Sequence, residues 1–192
     1  YILLGGGDGY QRAQEIKSTG ATIIVPVNYP KPYDLSDPFL ARFISLTELK
    51  HWELAPSNAA ILNSEGINFC LTAQGLKTPS EFLPAVRKAV ERGLPIDIAL
   101  NAMTELPAKL LGVSNLVGTI KPGLKANIIV ADGPLFDSDT KLVEHWVSGS
   151  PTIMHDRDAV DISGEYDISF SGYGDELKHI SVTEGWKAEQ VI

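Results

Sequence analysis

The sequence predicts an α/β fold in which parallel β/α units come first and antiparallel strands follow. Two observations carry this. Up to Gly112, short apolar runs rich in β-branched residues alternate with stretches of helical periodicity. Beyond Gly112 the helical patterns stop, and short strands separated by turn residues take over. The composition sets the scale: 192 residues, 44% hydrophobic and 21% charged, supply apolar material for one sizeable core or two small ones.

The elements follow in order. Ile2 to Leu4 reads as a strand, Tyr10 to Ser18 as a polar helix, and Ala21 to Val27 as the purest strand of the chain. This is a βαβ rhythm. Helical patterns cover Pro38 to Lys50 and Ser57 to Ser64, and the strand Ile67 to Ala73 comes next. A helix opens at Thr78-Pro79-Ser80-Glu81, where Pro79 suits the first turn, and runs to Glu91 before Gly93 ends it. Two further helical pieces, Pro95 to Met103 and Leu106 to Leu111, close the segment at Gly112.

Seven short strands are then expected: Val117 to Ile120, Ala126 to Ala131, Leu142 to Val147, Thr152 to Met154, Val160 to Ile162, Tyr166 to Phe170 and His179 to Val182. The last two form a hairpin around the turn Gly172-Tyr173-Gly174-Asp175. The predicted divisions are 1–114 for the β/α units, 115–163 for the strands after them, and 164–192 as a further β unit or tail. The chain starts at Tyr1 in a strand-like run, with neither an initiator Met nor a signal segment, so it is expected to be a piece of a longer protein.

Charge and cysteine usage exclude several roles. The net charge of −8 arises from 24 acids against 16 bases spread along the chain, so nucleic acid is not an expected partner. No apolar stretch approaches the roughly 20 residues of a membrane helix, so a soluble chain is expected in a compartment the sequence leaves open. Cys70 is the single cysteine, within the apolar run Ile67 to Leu71, where it reads as a small core hydrophobe.

The segment Ala99-Leu100-Asn101-Ala102-Met103-Thr104-Glu105-Leu106-Pro107-Ala108, with the later Gly118-Thr119-Ile120-Lys121-Pro122-Gly123 and Asn127-Ile128-Ile129-Val130, resembles the end of metal-dependent amidohydrolases, especially imidazolonepropionase-like ones. In that family a helix with a Thr-x-x-Pro-Ala pattern packs against the barrel, and a Gly-x-Ile-x-Pro-Gly turn returns the chain to a β-sandwich. Trp146-Val147-Ser148-Gly149 resembles the family's closing strand and turn. The resemblance implies the C-terminal part of a (β/α)8 barrel, about three β/α units, followed by β-sandwich strands. One departure is Asn127 after Ala126, where the family usually has an Ala-Asp pair. Every residue of the signature also has a purely structural role, since Gly118 and Gly123 supply turn geometry and Pro122 presets its φ.

The resemblance also implies hydrolysis assisted by one or two divalent metals such as zinc, with ligands on strands not found in these residues and an Asp on the last barrel strand taking the water's proton. If Phe69 to Gly75 is that last strand, Gln74 stands where the family has the Asp, and a neutral amide cannot take that proton. His51, His145, His155 and His179 show no His-x-His or close pairing and are read as packing or surface residues, so no metal ligand is assigned. No catalytic residue is assigned either.

Ligand-binding candidates are the polar residues at strand ends: Asp8 after the first, Asn28 and Tyr29 after the second, Thr72 and Gln74 after the third. For Asp8, helix capping is the stronger expectation, because it precedes a helical stretch, and for Gln74 a plain loop position is the stronger one. A dinucleotide reading of Gly5-Gly6-Gly7-Asp8-Gly9 fails, because Tyr10 holds the third glycine's place and the second strand ends in Asn28 without an acid. Asn28 to Asp37, rich in Pro and Tyr, is a candidate lid or partner surface.

Two functions follow. In one, the chain completes a hydrolase that cuts a non-peptide C–N bond in a small-molecule substrate, its main partner being the upstream part of the same polypeptide, and the fragment is inactive alone. In the other, the protein is a catalytically degenerate relative kept for binding or assembly. An incomplete barrel exposes strand edges, so homo-oligomers are expected; a clean monomer by light scattering at high concentration would contradict that.

Overall fold

The computed structural model describes residues 2–37, 39, 42–155, 164–168 and 178–182. The chain divides into two units, Tyr1–His155 and Asp156–Ile192. In the first, strands β1 (Ile2–Leu4), β2 (Thr22–Pro26) and β3 (Phe69–Thr72) form a parallel sheet in sequence order. Its register pairs Ile2 with Thr22, Ile23 with Phe69, and Pro26 with Thr72.

Parallel strands need crossovers, and helices supply them. A 3-10 turn (Gly9–Arg12) runs into α1 (Ala13–Thr19), which ends at Gly20 with a left-handed φ of 63°. Between β2 and β3 lie α2 (Leu46–Leu54) and α3 (Asn58–Ser64). The Ser45 side chain caps α2 and Glu48 answers it, a complete capping box that fixes where the helix starts. The helical pattern expected from Pro38 therefore settles at Leu46; residues 38, 40 and 41 lie outside the described set. After β3 come a 3-10 turn (Pro79–Glu81), α4 (Phe82–Glu91), α5 (Ile96–Met103) and α6 (Glu105–Leu110).

The core forms where the inner strands meet the helices. Ile23, Val25 and Val27 of the β2 segment and Phe69 and Leu71 of β3 meet Ala59 and Leu62 of α3, Val86 and Ala89 of α4, and Ala99 and Ala102 of α5. Leu62, Val86, Ala89 and Ala99 are fully buried. The alanines keep α5 close to β3, against which it packs. At the other side of the sheet, β1 exposes Ile2 (55%) and Leu4 (60%), an unusual state for a parallel strand.

A second sheet, antiparallel, is built from β4 (Ile128–Ala131), β5 (Leu142–Val147) and β6 (Ser150–Ile153). Ser148 and Gly149 turn β5 into β6, both with positive φ (51° and 87°), as a tight two-residue hairpin demands. The strand expected over Val117 to Ile120 is absent. The amides of Leu116 and Val117 bond to the Val113 carbonyl (2.9 and 3.1 Å), and Gly118 at φ 109° sits so close to Ala108 that a side chain there would overlap it, so this segment is a chain of turns.

The two sheets are joined by a contact that local pattern does not announce. The β4–β5 loop sends Phe136 (7% exposed) and Leu135 into the core of the parallel layer. Arg87 of α4 holds that loop, donating to the Leu135 carbonyl from Nε and Nη2 (3.1 and 3.0 Å), to Ser138 from Nη1 (3.2 Å) and to Thr140 from Nη2 (2.8 Å).

The second unit contains the antiparallel pair β7 (Gly164–Ile168) and β8 (Lys178–Val182), Gly164 facing Val182. The expected strand Val160 to Ile162 and the turn at Gly172 to Asp175 lie outside the described residues. Among the described residues no helix is long and apolar enough to cross a membrane.

Candidate functional site

The C-terminal ends of the parallel strands converge on one rim, and the register decides which side chains meet there. Pro26 is level with Thr72, the last pair of the ladder, and Asn28 and Gln74 each follow two residues further on, beyond the paired strands. The Val27 amide donates to the Thr72 carbonyl (3.2 Å), carrying the pairing past the strand. Thr72 Oγ1 accepts from the Gln74 amide (3.3 Å), and the Leu76 amide closes a turn onto the Ala73 carbonyl (3.1 Å). Gly75, third in that turn, has φ 85°. A Cβ there would collide with the Asn28 carboxamide, so the amide of one strand end lies directly on the backbone of the next.

Tyr29 turns inward from this rim, half-buried against the core, with the Lys88 ammonium 5.8 Å from its ring centroid. Burial pushes its phenol well above the ordinary tyrosine range, so Tyr29 keeps its proton. Asn28 and Gln74 are exposed and Thr72 is half-buried. The turn that Thr72 and Gln74 open is thus brought against Asn28 through Gly75, with Tyr29 following Asn28 in the chain.

Asp8 goes elsewhere. It lines an open cleft of about 350 Å³ under the loop Gly5 to Gly9, with Arg12 and Asn58 on the walls and Ile23, Val25 and Leu62 below. The expected cap is not formed: Asp8 has φ −117° and ψ 16°, and its side chain makes no capping hydrogen bond. Its carboxylate would instead meet a Cβ on Gly6, so it is folded back over the glycine loop. Its backbone carbonyl accepts from Gln11 (3.0 Å) and starts the 3-10 turn that replaces a capped helix.

Asn58 is the one buried polar side chain among the described residues, 2% exposed, and its Oδ1 accepts from the Tyr10 amide (2.8 Å). Sequence pattern gave no sign of it, because it lies in an ordinary helical stretch and its partner is 48 residues away. His51 stacks on Tyr10 at 6.1 Å between ring centroids, its Nδ1 3.1 Å from the Tyr10 hydroxyl. Burial also raises the Cys70 thiol above its usual range.

Among the described residues no three His, Cys, Asp or Glu side chains gather as a metal-binding set. Asn28, Thr72 and Gln74 offer neutral oxygens and amide hydrogens, which position a ligand but do not suit zinc, whose usual protein ligands are thiolate, imidazole or carboxylate.

Comparison with known proteins adds the lineage. The model of the amidohydrolase family matches residues 56–155. Among solved structures, an amidohydrolase from Thermotoga maritima MSB8 superposes with a TM-score of 0.59 at 22% identity, over 79% of this chain and 36% of that one. A prolidase complexed with N-methylphosphonate-L-proline gives 0.56 at 16% identity, over 79% and 40% of the two chains. A Xaa-Pro dipeptidase with methionine bound in its active site gives 0.56 at 15%, over 79% and 39%. The chain therefore spans two-fifths or less of these structures' lengths. No curated protein matches it.

Proposed function

The chain belongs to the amidohydrolase family, and from that premise we propose that it supplies the C-terminal β/α units of a (β/α)8 barrel and the β-sandwich strands after them, within a hydrolase acting on a non-peptide carbon–nitrogen bond. In this reading residues 1–114 are barrel, 115–163 β-sandwich, and 164–192 a further β unit or tail. Support comes from the parallel order of β1, β2 and β3, from their helical crossovers, and from coverage of only 36% to 40% of the structural neighbours.

The observation that carries the reading is the packing of Asn28 on Gly75, in the turn after Thr72, at the C-terminal strand ends, the face on which barrels of this kind do their chemistry. When bound, a divalent metal supplies an activated water and polarises the carbonyl of the scissile bond. The described residues do not fit such a metal, so no metal-dependent step is assigned to them. Their own part is to bind and orient: Gln74 and Asn28 each donate and accept hydrogen bonds, and Tyr29 closes the inner side. None of these three takes a proton from water at neutral pH, which supports a chain that is inactive alone.

A second reading, a catalytically degenerate domain kept for binding or assembly, is favoured by Gln74, which occupies the place the resemblance gives to an Asp. Hydrolysis of a panel of cyclic amides and imides, with zinc added, tests both. No turnover is expected from the 192 residues alone. Turnover by a longer form carrying upstream sequence supports the hydrolase, no turnover by either supports the degenerate domain, and turnover by the 192 residues refutes the inactivity of the chain.

A further inference from the structure

The cleft of about 350 Å³ under the glycine loop contains a buried donor that the fold leaves unused. Its floor residues Ile23, Val25 and Leu62 belong to the core between the sheet and the helices, so the cleft is a notch in that apolar layer. Asn58 lines it with a side chain only 2% exposed. Oδ1 is taken by the Tyr10 amide at 2.8 Å, and because only an acceptor can face an N–H, that bond fixes which way the carboxamide points. Nδ2 then donates to no protein group among the described residues, yet it is not sealed from solvent, and the cleft is where it opens. An amide donor in so apolar a setting gains from an acceptor brought to it.

The rest of the lining decides what kind of acceptor suits. Gly6, Gly7, Asp8 and Gly9 also border the cleft, and their backbone amides donate to no protein acceptor among the described residues. Arg12 adds a guanidinium whose ion pair to Glu15, at 3.4 Å, is exposed on both sides and so holds it weakly. Against these donors stands one acid, Asp8, which has no ion-pair partner among the described residues. Donors therefore outnumber acceptors around an aliphatic floor, a balance that favours an oxygen anion carrying a hydrocarbon body.

We propose that this cleft binds a small aliphatic monocarboxylate, its body on Ile23, Val25 and Leu62 and its carboxylate on Asn58 Nδ2, the loop amides and Arg12. Asp8 opposes the ligand and limits its affinity. The proposal uses no residue of the strand-end rim and does not depend on turnover, so it stands under either reading above.

The test is an amide titration of the isotope-labelled 192-residue chain, followed at the backbone amides of Gly6, Gly7 and Gly9 and at the Asn58 side-chain NH2. The probes are 3-methylbutanoate, acetate, which keeps the head and lacks the body, and 3-methylbutylamine, which keeps the body and reverses the charge. 3-Methylbutanoate is expected to shift all four groups saturably with a Kd of about 1 mM, an affinity within reach of a ligand of its size. Acetate should bind at least about tenfold more weakly, having lost the apolar contact, and the amine should leave the four groups in place. Asn58→Asp keeps the acceptor for Tyr10 and replaces the donor with a repelling oxygen, so it should weaken 3-methylbutanoate at least about tenfold. Asp8 and Arg12 are exposed, so their variants keep the fold and decide the matter even if Asn58→Asp does not fold. Asp8→Asn should tighten binding about threefold and Arg12→Gln weaken it by a similar factor, as expected of charges near the surface. The proposal is overturned if 3-methylbutanoate shifts none of the four groups, if acetate or the amine binds as tightly, or if Asp8→Asn and Arg12→Gln both leave the Kd unchanged.

Discussion

Replacing Arg87 with Ala removes every side-chain bond that ties α4 to the β4–β5 loop, and the cost can be worked from the geometry. The guanidinium makes four hydrogen bonds to three carbonyls, at 2.8 to 3.2 Å, and two of the four share the Leu135 oxygen. Counting about 1 kcal/mol net for each acceptor, the low end because the side chain is only half-buried, gives about 3 kcal/mol. Arg87→Lys keeps the charge but offers no planar fork, so it should retain one contact and lose about 2 kcal/mol. Urea unfolding followed by tryptophan fluorescence measures both losses. The loop should also loosen before the whole chain does, so amide exchange over residues 132–141 should accelerate in Arg87→Ala while that of β3 changes less. A loss below about 0.5 kcal/mol with unchanged exchange in the loop would refute the clamp, since exposed substitutions without a partner usually fall in that range.

Other perturbations follow from the same structure. Phe136→Ala should cost about 3–5 kcal/mol by the same urea measurement, because its ring fills the core between the loop and the helices. Gly75→Ala combines a left-handed φ with a collision against Asn28, and should cost about 1–2 kcal/mol for the backbone alone; adding Asn28→Gly should restore only the steric part in a double-mutant cycle. Tyr29 has a raised pKa, so the folded state keeps its proton: the stability linked to it is complete below about pH 10 and is lost as pH rises beyond that. Tyr29→Phe should flatten this alkaline loss in melting curves, and an unchanged slope would show that Tyr29 does not ionise on unfolding.

Much of the fold was legible because strand and helix periods are strong in the interior. Ile23, Val25, Val27, Phe69 and Leu71, in the two runs read as strands from sequence, all lie in the core. Pro79 opens a helical turn and Gly93 ends α4 with φ 102°. The places where the strands end were legible for the same reason, since strand ends follow from strands. What was missed depends on distance in sequence. Arg87 lies on an amphipathic helix, where an arginine reads as solvent-facing, yet its acceptors are about 50 residues away. Phe136 sits between Pro134 and Asp137, a turn-like context that hides a buried ring. The seat of Asn28 over Gly75 needs the parallel register, which no local pattern specifies. Asp8 failed as a cap because the glycine loop lets the backbone enter a 3-10 turn, where its own carbonyl makes the bond its side chain was expected to make.

The measurement that tests the account most directly is metal retention by the 192-residue chain. After exposure to excess zinc and dialysis, elemental analysis should find zinc well below one ion per chain, unchanged in His51→Ala, His145→Ala and His155→Ala. One tightly held zinc per chain, lost on changing any one of those histidines, would contradict it, since the chain would then hold a metal centre of its own.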